Sequence, residues 1–400
     1  MQIKDKTVIV GVTGSIAAYK AADLVSTLVK KGCDVFTIMT ENAVNFINPI
    51  TFETLTGHKC LVDTFDRDFN FNIEHVSLAS RADACIIAPA TANIIGKLAC
   101  GIADDMLTTT VMAAKCPKLV APAMNTGMYD EPVLQDNLRR LKGYGYEIIE
   151  PDEGRLACGV TGRGRLPDTG VLLQYLYRSI EEKDDLRGKK VVVTAGPTRE
   201  PFDPVRYITN HSTGTMGYAI AASAWRRGAD VTLISGTESL PDPVGVETVH
   251  VETAEDMFLA VREHFSGNDI VIKAAAVADY TPAVVSDEKI KKSDDSMQVE
   301  LKRTTDILSW LGENKVAGQF ICGFAMETEN LVERAKDKLA KKNADMIVAN
   351  NLKVDGAGFG RDTNVITIIT ADGVRELPLM SKDDAADEIL DAIGERLRDR

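Results

Sequence analysis

The chain has 400 residues, 44% apolar and 26% charged, with a formal net charge of −13. That length exceeds a comfortable single core and predicts two domains, or three. The acidic balance argues against nucleic acid as the main partner, because phosphate binding needs a basic surface. No apolar run approaches the span of a membrane helix. The opening residues lack the pattern of a signal peptide, so a cytoplasmic enzyme is the expectation.

The seven cysteines include no C-x-x-C pair, and the five histidines are not spaced as metal pairs. A disulfide framework and a zinc site are both poorly supported, leaving magnesium carried by a nucleotide as the metal to consider. In chain order, "KTVIVGVTGSIAAYKAADLVSTLVKKGCDVFTIMT" reads as strand, glycine turn, amphipathic helix and second strand. Its turn lacks the third glycine of a dinucleotide fingerprint, and no G-x-x-x-x-G-K-[ST] exists in the chain. A helix start near Gly14 and Ser15 still offers free N–H groups to a phosphate. A mononucleotide such as FMN fits that turn better than a dinucleotide.

His75, in "NIEHVSL", titrates near neutrality, although a lone histidine ahead of an apolar strand is more often structural. "ACIIAPA" follows as a strand with Cys85 buried in it. "APATANIIGKLACGIADDML" then combines small residues with Thr91 and Asn93. Small side chains admit a flat ring against the backbone; a small-residue helix packed on a neighbour is the alternative. Asn125 comes just after the strand "KLVAPAM", where α/β ligand sites form, and alone it is a turn residue. Cys158 lies in "RLACGVTGRGRLPD", a stretch too rich in glycine and arginine to be core, and reads as part of a mobile loop.

The charged segment "RSIEEKDDLRGKK" marks a boundary near 185. Beyond it the same strand–helix–strand pattern returns, with strands at "KKVVVTA", "DIVIKAAAV", "FICGFAM" and "DMIVANN". These apolar strands alternating with helices predict an α/β protein of two Rossmann-like domains with parallel sheets. The long loop before "GTMGYAIAASAW" places Ser212, Gly214, Met216 and Gly217 where backbone N–H groups could wrap a triphosphate. In "AAAVADY" a strand ends at Asp279, whose carboxylate suits an exocyclic amine. Lys289 sits in a charge run and could meet a carboxylate or phosphate. Lys338 and Lys342 share one helix face, for which a solvated basic surface is the alternative.

Taken together, "GSIAAYK", the His75 segment, "APATAN…GKLA.GIADDML", "PAMN..M" and "ACG..G.GR" make residues 1–185 resemble the flavin-dependent phosphopantothenoylcysteine decarboxylases. The resemblance implies FMN on Gly14, Ser15, Ile16, Thr40, Thr91 and Asn93. It implies oxidation of the substrate's cysteine side chain toward a thioaldehyde, with His75 as base and Asn125 holding the departing carboxylate. Cys158 would then ride on a glycine-hinged flap and return a proton, since a thiol with a pKa of about 8.5 is mostly protonated at neutral pH. Arg163 and Arg165 would help hold an anionic substrate.

Residues 186–400 resemble the phosphopantothenate–cysteine ligases through "VTAGPTREP.DPVR.ITN.STG.MG", "AAAVADY", "EKIKK", "DIL", "GFA.ET" and "K..KN.D.IVAN". This implies CTP contacts from Asp279, Lys289, Thr305, Asp306, Ile307, Leu308, Phe324, Lys338 and Lys342. Asn210 would act in acyl transfer from the cytidylate to cysteine, and magnesium and the lysines would offset triphosphate charge. The two reactions in sequence turn 4′-phosphopantothenate into 4′-phosphopantetheine, a step in coenzyme A biosynthesis. Family resemblance also implies trimers of the flavin domain, dimers of the ligase domain and hence a dodecamer. A paired-domain dehydrogenase and a non-catalytic flavoprotein-type regulatory binding protein are the alternatives.

Overall fold

The structure, a computed structural model, describes residues 3–64, 74–157, 159–181, 183–291, 297–327, 330–351, 361 and 363–398. The chain divides into two compact units, residues 2–182 and residues 183–400. No helix among the described residues is long and apolar enough to cross a membrane.

In the first unit the elements run β1 (Thr7–Val12), α1 (Ala18–Lys30), β2 (Asp34–Met39), α2 (Pro49–Thr56), α3 (Glu74–Arg81), β3 (Ala84–Ala90), α4 (Ala92–Ala99), α5 (Met106–Ala113) and β4 (Lys118–Pro122). They continue α6 (Thr126–Tyr129), α7 (Pro132–Gly143), β5 (Glu147–Ile148), β6 (Asp152–Arg155), β7 (Thr161–Arg165) and α8 (Thr169–Ile180). Strands β2-β1-β3-β4-β5 form one parallel sheet in that order. Side chains alternate across it: Val8, Val10 and Val12 pack with Leu24, Leu28, Leu172 and Leu176 of α1 and α8. Ile9 instead faces Ile94, Leu107 and Leu138 of α4, α5 and α7. The near-continuous apolar strands follow from this double burial.

One local expectation is revised here. "EHVSLASR", read as a lead-in to a strand, forms α3, since its apolar residues recur with helical spacing. The ends of the stretch read as a mobile loop pair antiparallel, β6 with β7, so that residues 156–160 connect the two strands of a hairpin. Cys158 itself lies outside the described residues.

The second unit runs β8 (Lys190–Ala195), β9 (Arg199–Pro201), β10 (Tyr207–Thr209), α9 (Thr215–Arg226), β11 (Asp230–Ser235), β12 (Glu247–His250), α10 (Ala254–Phe265), β13 (Ile270–Lys273), β14 (Tyr280–Pro282), β15 (Leu301–Arg303) and α11 (Ile307–Asn314). It closes with β16 (Phe320–Glu327), α12 (Leu331–Lys341), β17 (Met346–Asn351), β18 (Thr363–Asn364), β19 (Ile366–Thr370), β20 (Gly373–Glu376), β21 (Met380–Ser381) and α13 (Lys382–Arg398). Its eight-stranded sheet is ordered β12-β11-β8-β13-β16-β17-β19-β20. The first six strands are parallel, while β19 and β20 are antiparallel additions that the sequence reading did not include. A two-residue connection, 371–372, can join only antiparallel strands. The core over one face comes from Met257 and Val261 of α10, Leu308 and Leu311 of α11 and Ala335 of α12.

In each unit the chain reverses its winding direction once, at β1/β3 and at β8/β13. Open α/β sheets form their ligand crevices beyond the carboxyl ends of strands at such points. Both candidate sites lie there.

Candidate active sites

In the first unit, a cleft of about 410 Å³ opens where β1, β2 and β3 end, within the usual range of small-ligand sites. Gly14, Thr40, Thr91 and Asn93 line it, as expected, together with Asn42, Lys97, Asp104, Asp105 and Met128. Thr13, which sequence reasoning passed over, ties the β1 and β3 ends together. Its hydroxyl donates to Pro89 O at 2.7 Å and accepts from Thr91 N at 3.1 Å. Helix α4 starts at Thr91 with no side-chain cap, whereas Asp105 caps α5 with a reciprocal Thr108 pair. The first-turn N–H groups of α4 therefore face the cleft available to a polar ligand, which fits the edge of a flavin.

Lys97 donates to Asp104 at 2.7 Å and to Asp105 at 2.9 Å, and both bonds push its pKa up. Burial opposes ionisation of Asp105, but the Thr108 N–H and the Lys97 ammonium outweigh it and hold the carboxyl below the usual range. One ammonium thereby offsets part of the charge of the acidic rim. Ser15 and Ile16 do not line this cleft: the Ser15 hydroxyl accepts from Ala17 N at 3.3 Å, and Ile16 is 61% exposed.

Asn125 caps α6, its side-chain oxygen accepting from Gly127 N at 2.9 Å, and Met128 of the same helix reaches the cleft. The β6–β7 hairpin docks directly on this turn. Met124 N donates to Gly164 O at 3.0 Å. Buried Tyr129 donates to Glu150 at 2.5 Å, and Arg163 lies over the Tyr129 ring while pairing with Glu150 at 3.4 Å. Arg165 pairs with Asp152 at 3.1 Å. Burial and the Glu150 carboxylate together push the Tyr129 hydroxyl well up, keeping it a donor. His75 lies on α3, and its side chain is outside what the structure describes.

In the second unit, two adjoining clefts of about 290 and 360 Å³ share Lys273, Val277, Asp279 and Lys338. Ser212, Gly214, Met216, Gly217, Asp279, Phe324 and Lys338 line the first. Asp279, Thr305, Asp306, Ile307, Leu308 and Lys338 line the second. Gly214 caps α9 at a φ of +83° without a side chain, so the start of α9 presents bare N–H groups to the first cleft. Lys338 donates to Phe324 O at 2.8 Å, and Lys342 donates to Asp306 and to the Ser309 hydroxyl, each at 2.8 Å. Neither lysine is the freely solvated one that its helix spacing allowed.

Three expected residues do not line the clefts. Lys342 acts from behind, through Asp306. Asn210 is exposed but donates to Ala276 O at 3.0 Å, and Ala276 is part of the first cleft's wall. Lys289 is exposed beside an anchored neighbour: Ile290 donates to Asp203, and Arg206 donates to Ile290 O at 2.9 Å. The Arg206 guanidinium holds buried Asp203 far below the ordinary carboxylate range. Sequence reasoning missed Lys273, Asn350, Asn364 and Lys382, all of which line the first cleft. A lysine closing the apolar run "DIVIK" was the one available signal for Lys273.

The flavoprotein family model matches residues 1–181. A model described as the DNA/pantothenate metabolism flavoprotein C-terminal domain matches residues 186–397. The coenzyme A biosynthesis bifunctional protein CoaBC of Bacillus subtilis strain 168 is 52% identical over 396 residues, covering 98% of this chain and 97% of its own. That of Borreliella burgdorferi is 41% identical over 389 residues, covering 97% of this chain and 98% of its own. A crystal structure of the C-terminal domain of such a protein is 47% identical, spans 55% of this chain and 100% of its own, and has a TM-score of 0.47. With identity of this order sustained from end to end, the chain belongs to the family of coenzyme A biosynthesis bifunctional proteins.

Proposed function

We propose that the second unit joins cysteine to 4′-phosphopantothenate using CTP, and that the first decarboxylates the product with FMN to give 4′-phosphopantetheine. The assignment covers residues 1–185 for the decarboxylase and 186–400 for the ligase, with magnesium accompanying the nucleotide. The support is geometric: seven of the residues expected to hold CTP converge on one cleft at the β8/β13 switch point. The adjoining cleft gathers the Thr305–Leu308 turn.

For the ligase half, the bare start of α9 and the lysine wall hold the triphosphate while the substrate carboxylate attacks its α-phosphorus, releasing pyrophosphate. Asn210, fixed against Ala276, steadies the acyl-cytidylate for attack by the amine of cysteine. Lys289→Gln should block CTP-dependent pyrophosphate release, whereas Asn210→Asp should still release pyrophosphate and accumulate the acyl-cytidylate. Quench-flow with mass detection separates the two, and equal loss of both steps contradicts the division of roles.

For the decarboxylase half, FMN supplies a reversible two-electron acceptor. Among the residues of the chain, His75 takes the substrate proton, Asn125 orients the carboxylate that leaves, and Cys158 returns a proton to the product. Cys158→Ser is expected to release carbon dioxide and an oxidised enethiol, two mass units below the normal thiol. A normal yield of the thiol from that variant refutes the role. Trimeric flavin units joined to dimeric ligase units belong to the same proposal.

A further inference from the structure

We propose that Lys273 grips the phosphate chain of the nucleotide where the two clefts of the second unit meet. The inference rests on the nucleotide reading above and names a residue outside the family motifs. Lys273 closes β13 after three fully buried residues, Ile270, Val271 and Ile272. Its ammonium donates to Ala275 O at 2.9 Å, its one hydrogen bond among the described residues. A desolvated lysine held by a single carbonyl is costly, and an anionic ligand offsets that cost.

The surrounding charges favour a polyanion. The first cleft is lined by Lys273, Lys338 and Lys382 against the single carboxylate of Asp279. The uncharged 212–217 loop and the uncapped start of α9 line the same cleft. The second cleft adds Arg303 and Asp306. Burial lowers the pKa of Lys273 most, and Lys338 on α12 lowers it further. Asp306, which caps α11, and Asp279, beyond β13, pull it back, leaving it at about 8. Near pH 8 roughly half of the empty sites then carry neutral Lys273. A bound phosphate favours the charged form, so binding draws in a proton.

The test is calorimetric titration of full-length protein with magnesium–CTP near pH 8, in two buffers of different ionisation enthalpy. The unmodified protein should take up more protons per CTP than Lys273→Met, because burial lowers the Lys273 pKa and a bound phosphate restores its charge. The variant's Kd should rise roughly 10- to 100-fold, the value of a charge-assisted hydrogen bond. Removing a half-buried, poorly paired cation should not lower the melting temperature. If it does, Lys273→Gln, which keeps a polar end for Ala275, replaces it in the same experiment. CTP binding unchanged by the substitution overturns the inference and leaves the ligase reading intact. Weakened binding that comes with a lowered melting temperature in both variants also overturns it, because the lysine then acts only through structure. If the unmodified protein ignores CTP, inorganic tripolyphosphate is titrated instead. Lys273-dependent binding of that probe upholds the inference and removes the CTP reading, while no binding removes both.

Discussion

Gly164→Ala should lower the decarboxylation rate by ~100-fold or more while CTP-dependent cysteine ligation continues. Gly164 has a φ of +137°, and a β-carbon there would lie 2.2 Å from Met124 O. That oxygen is backbone, so it cannot swing aside as a flexible side chain would. One residue pair away, a β-carbon on Gly162 would lie 2.6 Å from the Thr126 hydroxyl. Strand β7 therefore packs on the turn 124–126 through two glycines, and Asn125 stands between those contacts. Alanine at 164 must push the hairpin off this turn, breaking the Met124–Gly164 hydrogen bond and loosening Tyr129, Glu150 and Arg163 together. A displacement of about 1 Å in a positioning element costs on the order of 10²-fold in rate. Carbon dioxide release from phosphopantothenoylcysteine measures it directly. A rate equal to that of the unmodified protein contradicts this role for the hairpin.

Gly312→Ala should damage the other half, lowering stability by about 3 kcal/mol, the upper end of ordinary overpacking costs. A β-carbon at 312 would sit 1.9 Å from Lys342 O and 2.8 Å from its carbonyl carbon. Helix α11 has to retreat from the end of α12. The same two helix ends are joined by Asn343 donating to Gly312 O at 2.9 Å and by Lys342 donating to Asp306. Asp306 opens the turn that lines the second cleft, so CTP affinity should fall with stability. At 2–4 °C per kcal/mol for a unit of this size, the melting transition should move down by roughly 6–12 °C. Unchanged melting and an unchanged CTP Kd together would refute the packing argument.

The fold was legible wherever period and punctuation were local. The buried run of β1, the apolar stripe Ala18, Ala21, Leu24, Val25 and Leu28 of α1, and the repeat of this pattern at β8 and α9 all lie within short windows. What escaped depended on distance or on weak propensity. Strand β7 is the sequence "TGRGR", whose glycines and arginines do not favour a strand; its conformation is fixed by contacts with residues 124–126, some 40 positions earlier. Glycines in this stretch suit hinges, but 162 and 164 serve close packing on the 124–126 turn.

The sites divide similarly. Motif residues carried by loops at strand ends, such as Thr91, Ser212 and Asp279, do line clefts because the strand ends converge. Lys273 was missed because one lysine after an apolar strand looks like an ordinary solvent-facing terminus until α12 and the Asp306 turn are folded over it. Thr13 was missed because its two bonds span more than seventy residues.

The most direct test of the account is to incubate the purified protein with 4′-phosphopantothenate, cysteine, CTP and magnesium and identify the products by mass. The account predicts 4′-phosphopantetheine, with CMP and pyrophosphate released. Phosphopantothenoylcysteine accumulating with no decarboxylated product would contradict it.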